Sequence, residues 1–285
     1  GLSCLIKIII NNIIISGVVI QVKEKKFLKS KFYSICKKHN LKIKTIKNVN
    51  AISNENYLKN FNANIFILIG FNQILKKNIL KIPKIATLNL HAGKLPKYRG
   101  GSPLNWQIIN NENKIYLTIL LANNKIDHGD ILMEKSFILK KNHNILDVQK
   151  KVFHLFPKMI VEVLKNFDKY YSCKVKQLSS NSYFKQRQAK DGELNFITMG
   201  SNFIYNMVRA LTPPFYPGAY FIYKKKKYIV YSVEIYKGKV NSNFKSGDLV
   251  NLKNNFMCFM TKDLPIVIKS IYFNNKILSS NKINY

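Results

Sequence analysis

Ile65–His91, IFILIGFNQILKKNILKIPKIATLNLH, decides the fold class. Five apolar residues, Ile65–Ile69, end at Gly70-Phe71 and read as a buried strand. Gln73–Leu80 suits a short helix, and Ala86–Leu90 a second apolar strand. A strand, a helix and another strand in so short a span point to a crossover connection and parallel pairing. In open α/β sheets of this kind, ligands sit at the carboxyl ends of the strands. Gly70–Leu75 and the Asn89-x-His91 pair fall at such ends.

The alternation continues on both sides. Upstream, residues 2–10 carry apolar positions at helical spacing, closed by Asn11-Asn12, and Ile13–Gln21 reads as a buried strand. Helices over Phe27–Asn40 and Ser53–Asn60 flank a short strand at Leu41–Ile46. An α/β domain that opens on a helix lacks a preceding strand, so a further strand is expected ahead of Gly1. The sheet should then show an open edge beside Ile13–Gln21. Downstream come a helix at Pro103–Asn110, strands at Tyr116–Leu121 and Ile131–Lys135, and a long amphipathic helix at Leu146–Phe167. Together these imply an α/β domain with a mostly parallel sheet over residues 1–177, followed by a linker at 178–200. Residues 201–285 open with a helix at Ser201–Leu211 and the turn TPPFYPG. Strands then follow at Ala219–Tyr223, Tyr228–Tyr236, Asp248–Leu252, Phe256–Thr261 and Ile266–Phe273, as in a small, partly open β-barrel. The charge run Lys224–Lys227 falls in a hairpin.

Composition bounds the possibilities. Of the 285 residues, 47% are hydrophobic, enough for a folded core and against disorder. The formal charge of +33 invites a polyanion-binding reading. Against it, arginine occurs only at Arg99, Arg187 and Arg209, whereas a phosphate-gripping surface favours the planar guanidinium. Lys, Asn, Ile and Tyr enriched together fit a compositional bias of the genome better. Cys4, Cys36, Cys173 and Cys258 are scattered without C-x-x-C spacing, which points away from disulfides and zinc and towards a reducing, cytoplasmic setting. The apolar run near the start is broken by Lys7 and Asn11-Asn12, so neither a membrane span nor a signal peptide is expected.

The chemistry concentrates in Asn89–Leu132, which gathers an amide, an imidazole and a carboxylate around a Pro- and Gly-rich loop. There is no G-x-S-x-G elbow and no cysteine nearby, which argues against an acyl-enzyme route. Direct transfer remains, in which a substrate amine attacks an activated acyl carbon and fixed donors meet the oxyanion. Asn89 and His91, two apart on a strand, project to the same side and can supply those donors. Asp127 can orient the imidazole and help move the amine proton. His91 and Asp127 have no further partners at metal-ligand spacing, so no metal is expected.

NLHAGKLPKYRGGSPLNWQIIN (residues 89–110) followed by IDHGDIL (126–132) resembles the signature of N10-formyltetrahydrofolate-dependent formyltransferases. The resemblance spans nearly the whole chain. It implies a Rossmann-like domain with a C-terminal OB-like barrel, a catalytic triad of Asn89, His91 and Asp127, and N10-formyltetrahydrofolate as co-substrate. It also implies a folate site formed by Gln73, Ile74 and Leu75 with the loop Asn123, Asn124, Lys125 and Ile126. Members acting on UDP-4-amino-arabinose carry an Arg where this chain has Gly101. PLNWQIIN and NMVRALTPPFYPGAYF (206–221) resemble the nucleotide-linked amino-sugar enzymes. VKEKKFLKSK (22–31) is shorter than the basic loop of the tRNA enzymes and has no glycine. The expected acceptor is therefore a nucleotide-linked amino sugar, with methionyl-tRNA as the alternative. Tyr98, Arg99, Asn206 and Arg209 are the candidate acceptor contacts, Arg209 first among them for a diphosphate.

Overall fold

The computed structural model describes residues 1–21, 30–179, 182–240, 243–250, 252 and 255–282. It divides into two compact units. One comprises residues 1–100, 116–136 and 150–183, the other 101–115, 137–149 and 184–285.

In the first unit, α1 (Leu2–Ile10) ends at Asn11 and Asn12, the latter with φ +55°. Asn tolerates that left-handed conformation better than most side chains. Then come β1 (Val18–Ile20), α2 (Lys31–Lys38), β2 (Ile43–Thr45), α3 (Ile52–Lys59), β3 (Ile65–Ile69), α4 (Lys77–Leu80) and β4 (Ala86–His91). Further along are β5 (Lys114–Leu121), β6 (Ile131–Ile138), α6 (Ile145–Lys165) and α7 (Phe167–Ser172), while α5 (Pro103–Ile109), before β5, falls in the second unit. β1 pairs in parallel with β2, β3 in parallel with β4, and β4 antiparallel with β5, in a four-stranded order β3-β4-β5-β6. The α/β alternation is the one the sequence implied, and the sheet expected as mostly parallel is parallel-rich with an antiparallel β4–β5 pair.

Among the described residues β1 pairs with β2 alone, apart from the four-stranded sheet. Two expectations shrink. The strand foreseen over Ile13–Gln21 is a ladder only at Val18–Ile20, because its partner offers only Ile43–Thr45. The helix foreseen from Gln73 begins at Lys77, because side chains capture the preceding segment. The Gln73 amide donates to the Lys47 carbonyl at 2.5 Å and accepts from the Val49 N–H at 2.8 Å. The Asn50 amide likewise donates to Ile74 O and accepts from Lys76 N. Of the helix expected over Phe27–Asn40, residues 27–29 lie outside the described residues, as does most of the basic stretch 22–31.

Leu75 and Ile79 pack with Ile46, Val49 and Leu58 into one core cluster. β4 alternates faces as a strand must. Leu88 and Leu90 are buried on one, and Asn89 and His91 fall on the other.

In the second unit, α5 packs on α8 (Ser201–Ala210), and the Asn105 amide donates to the Ala210 carbonyl at 2.7 Å. A five-stranded antiparallel sheet follows: β7 (Ala219–Tyr223), β8 (Lys226–Ile235), β9 (Cys258–Phe259), β10 (Ile266–Phe273) and β11 (Lys276–Ser279). This curled sheet is the half-barrel expected after the helix. Its core is aromatic, with Phe196 stacked on Phe259 at 4.3 Å and Phe221 edge-on to both. The strand expected at Asp248–Leu252 reduces to a bridge between Leu249 and Phe259, with 251 outside the described residues. β11 is additional. It is turned by Asn274 and Asn275, both at positive φ, the two-residue geometry that suits a hairpin's twist. Lys224 and Lys225 make the same kind of turn between β7 and β8.

Candidate active site

Asn89, His91 and Asp127 meet. Asn89 Nδ2 donates to Asp127 Oδ1 at 3.0 Å, and His91 Nδ1 lies 3.4 Å from Asp127 Oδ2. The side chains of His91 and Asp127 are 6% and 8% exposed. The Gly100 N–H also donates to Asp127 Oδ2, at 2.9 Å. The carboxylate is therefore fixed from three sides, by a strand amide, a strand imidazole and a loop backbone. On the far edge of the imidazole, Nε2 is 2.6 Å from the Tyr98 carbonyl. A carbonyl oxygen can only accept, so Nε2 carries a hydrogen.

The loop carrying Asp127 is held by contacts the sequence did not announce. Asp127 itself has φ +54°, a conformation a non-glycine residue keeps only when its surroundings enforce it. Two residues on, a Cβ at Gly129 would stand 1.7 Å from the Leu121 carbonyl oxygen, so only glycine fits there. Gln177 closes the arrangement. Its Nε2 donates to the carbonyls of Asp127 at 2.9 Å and Gly129 at 2.7 Å. Its Oε1 accepts from Arg99 Nε at 3.1 Å and Nη2 at 2.8 Å. Burial pushes the Arg99 guanidinium below its usual value, while the charge of Asp127 works in the opposite direction. Gln177 sits fifty positions from Asp127 in a polar, aperiodic segment, and no motif spacing points to it. His128 turns to its own backbone, with Nδ1 2.6 Å from the Ile126 carbonyl.

The remaining candidates separate by exposure and partners. Near the carboxyl end of β3, Gln73 spends its amide on the backbone of residues 47 and 49, Leu75 is core, and Ile74 is 57% exposed. An exposed isoleucine in the loop that follows β3, which opens with Gly70 at φ +61°, can offer an apolar face to a flat ring. Asn123, Asn124 and Lys125 are exposed and Ile126 is half-buried, with backbone groups to offer polar ring edges.

The expected acceptor contacts turn inward. Tyr98 and Arg99 are buried, the first presenting its carbonyl to His91 and the second its guanidinium to Gln177. Arg209 is buried as well. It donates from Nε to Asn206 Oδ1 at 2.8 Å, from Nη1 to the carbonyls of Lys140, Lys141 and His143, and from Nη2 to Asn111. Asn206 in turn donates to Ile109 O. Both are thus committed to holding residues 109–111 and 140–143 against α8, a correction to the role expected for Arg209.

Among the described residues, no group of three or more His, Cys, Asp or Glu side chains could hold a metal ion, and no helix is long and apolar enough to cross a membrane.

With the geometry in hand, comparison with known proteins is direct. Residues 17–164 match the formyl transferase family and residues 187–283 the formyl transferase C-terminal domain. The bifunctional polymyxin resistance protein ArnA of Wigglesworthia glossinidia brevipalpis is 35% identical over 82% of this chain, which spans 36% of that protein's length. A methionyl-tRNA formyltransferase of Clostridium acetobutylicum is 30% identical over 88% of the chain and 80% of its own length. Among solved structures, the N-formyltransferase of Helicobacter canadensis, in complex with folinic acid and dTDP-3-aminofucose, superposes with a TM-score of 0.67. It is 18% identical and covers 94% of each chain. A family match over more than half of the chain, on an N-terminal domain that holds Asn89, His91 and Asp127, places this protein in the formyl transferase family.

Proposed function

We propose that the chain transfers a formyl group from N10-formyltetrahydrofolate to the amine of a nucleotide-linked amino sugar. The observation that carries the reaction class is the junction of Asn89, His91 and Asp127 on one carboxylate. N10-formyltetrahydrofolate supplies an activated formyl carbon; the amine forms a new C–N bond there, the bond to N10 breaks, and N10 gains a proton as the amine loses one.

The residues divide that work. Asn89 Nδ2 has two hydrogens and gives one to Asp127, which leaves the other for the formyl oxygen as negative charge gathers on it. The Nε2–H of His91 exchanges the Tyr98 carbonyl for the same oxygen when substrate binds. Asp127 holds both donors and takes up the amine proton, directly or through a water. Ile74 covers one face of the pterin, and the backbone of 123–126 meets its polar edge.

The sugar acceptor rests on the PLNWQIIN and NMVRALTPPFYPGAYF segments and on the similarity to ArnA. A second reading, methionyl-tRNA, is favoured by the formal charge of +33 and by similarity to the methionyl-tRNA formyltransferases. Offering the purified protein N10-formyltetrahydrofolate with dTDP-, UDP- and GDP-linked amino sugars, or with methionyl initiator tRNA, separates the two. Formylation of the tRNA alone would refute the first.

A further inference from the structure

Each of the three arginines can be followed to its partners. Arg99 and Arg209 spend their guanidinium groups on an amide and on backbone carbonyls. Arg187 does not. Its Nη2 donates to the Asp191 carbonyl, but its Nε is shut off from solvent with no acceptor. Its Nη1, which is not shut off, has no hydrogen-bond partner among the described residues. The nearby Asp191 carboxylate is turned away, accepting from the Gln188 N–H at 2.7 Å. The guanidinium is held in place all the same. It lies 4.7 Å from the centre of the Trp106 ring, which packs on Phe184, and the Arg187 N–H donates to Ser102 Oγ at 3.1 Å.

Arg187 lines a cavity of about 80 Å³ in the second unit, together with Ser102, Gln186, Gln188 and Tyr216. Among the described residues, no Asp or Glu lines it. Part of the wall is bare backbone. A Cβ at Gly192 would stand 2.8 Å from the Gly218 oxygen, and Gly218 itself has φ +85°. That space is enough for one phosphate group. A half-buried cation lining a cavity of otherwise neutral groups, with no carboxylate on its wall, is the arrangement that binds anions.

We propose that this cavity is a phosphate-binding site with Arg187 as its cation. Resting on the sugar-nucleotide reading above, it takes one phosphate of the diphosphate of a nucleoside diphosphate acceptor. Burial lowers the basicity of Arg187, with Asp191 opposing, and a bound phosphate offsets the cost of that burial.

The test is calorimetric titration of the whole protein with pyrophosphate, with UDP and dTDP, and with uridine and thymidine. Wild type should bind the diphosphates and pyrophosphate, and the nucleosides at least tenfold more weakly. Arg187→Gln should weaken diphosphate and pyrophosphate binding by roughly 10- to 100-fold, the span of a charge-assisted hydrogen bond. Arg187→Lys should restore part of it, and affinity for N10-formyltetrahydrofolate should not move. Wild-type diphosphate affinity in Arg187→Gln, or none in the wild type, overturns the site. A second measurement needs no variant: phenylglyoxal should modify Arg187 ahead of Arg99 and Arg209, and pyrophosphate should slow it. Unprotected modification also overturns the site. The two proposals fail separately. If Arg187→Gln formylates an amino sugar with unchanged KM, the site falls and the sugar reading stands. If only methionyl-tRNA is formylated while pyrophosphate still depends on Arg187, the site stands and the sugar reading falls.

Discussion

Asp127 accepts from Asn89 and Gly100 and faces His91, so a change there disturbs three partners at once. Asp127→Asn keeps the size but replaces an acceptor oxygen with a donor against N–H groups. It should lower kcat by about 10²- to 10⁴-fold, the range for losing a positioned acid–base group, with the protein still folded at the assay temperature. Steady-state rates with saturating N10-formyltetrahydrofolate check this; a loss under tenfold would remove Asp127 from the mechanism. Gln177→Ala acts at one remove, because it frees the Asp127 and Gly129 carbonyls and strands Arg99. A misplacement near 1 Å costs up to about 100-fold, so kcat should fall within that limit while the KM for folate holds. Equal loss in both parameters would point to a simple folding defect. Asn89, His91 and Asp127 were legible because one short stretch holds all three and their chemistry excludes most alternatives. Gln177 was not, since a lone glutamine in an aperiodic segment carries no spacing that betrays its contacts. Arg209 was misread for a related reason: rarity marked it as chosen, but not for which partner.

At the scale of elements, apolar runs with clear boundaries were legible. β3, β7 and β10 appear at their expected bounds, and α6 runs through Pro157 as a helix. The losses occur where side chains compete with the backbone or where a partner strand is short. Gln73 and Asn50 draw residues 73–76 out of the helix expected there, and three residues of β2 limit β1. The loop before β6 depends on Gly129, where a Cβ would collide with Leu121 O. Gly129→Ala should destabilise the first unit by about 1–3 kcal/mol, as overpacking does. Denaturant unfolding would show it, and a neutral effect would contradict the close approach. Arg209→Ala should destabilise the second unit by about 3 kcal/mol, through the carbonyls it leaves unpaired, without altering the KM for the formyl acceptor. A raised KM at unchanged stability would return Arg209 to the acceptor site.

For the molecule as a whole, burial sets thiol chemistry. Cys4, Cys36 and Cys258 are buried and Cys173 is exposed. Burial pushes the Cys258 thiol up to about 11, so it stays protonated at pH 8. Iodoacetamide at that pH should add one group to the folded protein and four after denaturation, read by intact mass. The charge of +33 makes salt a discriminating variable. Polynucleotide binding falls steeply between 50 and 200 mM salt, whereas a small nucleotide sugar should show a much shallower slope. The central claim is that a carboxylate-held Asn89–His91 pair transfers a formyl group to a sugar amine. Following labelled formyl from N10-formyltetrahydrofolate into a panel of nucleotide-linked amino sugars, with wild type and Asp127→Asn side by side, tests it most directly. Label should enter at least one amino sugar with the wild type and be nearly lost with the variant; label in methionyl-tRNA alone, or equal transfer by both proteins, would contradict it.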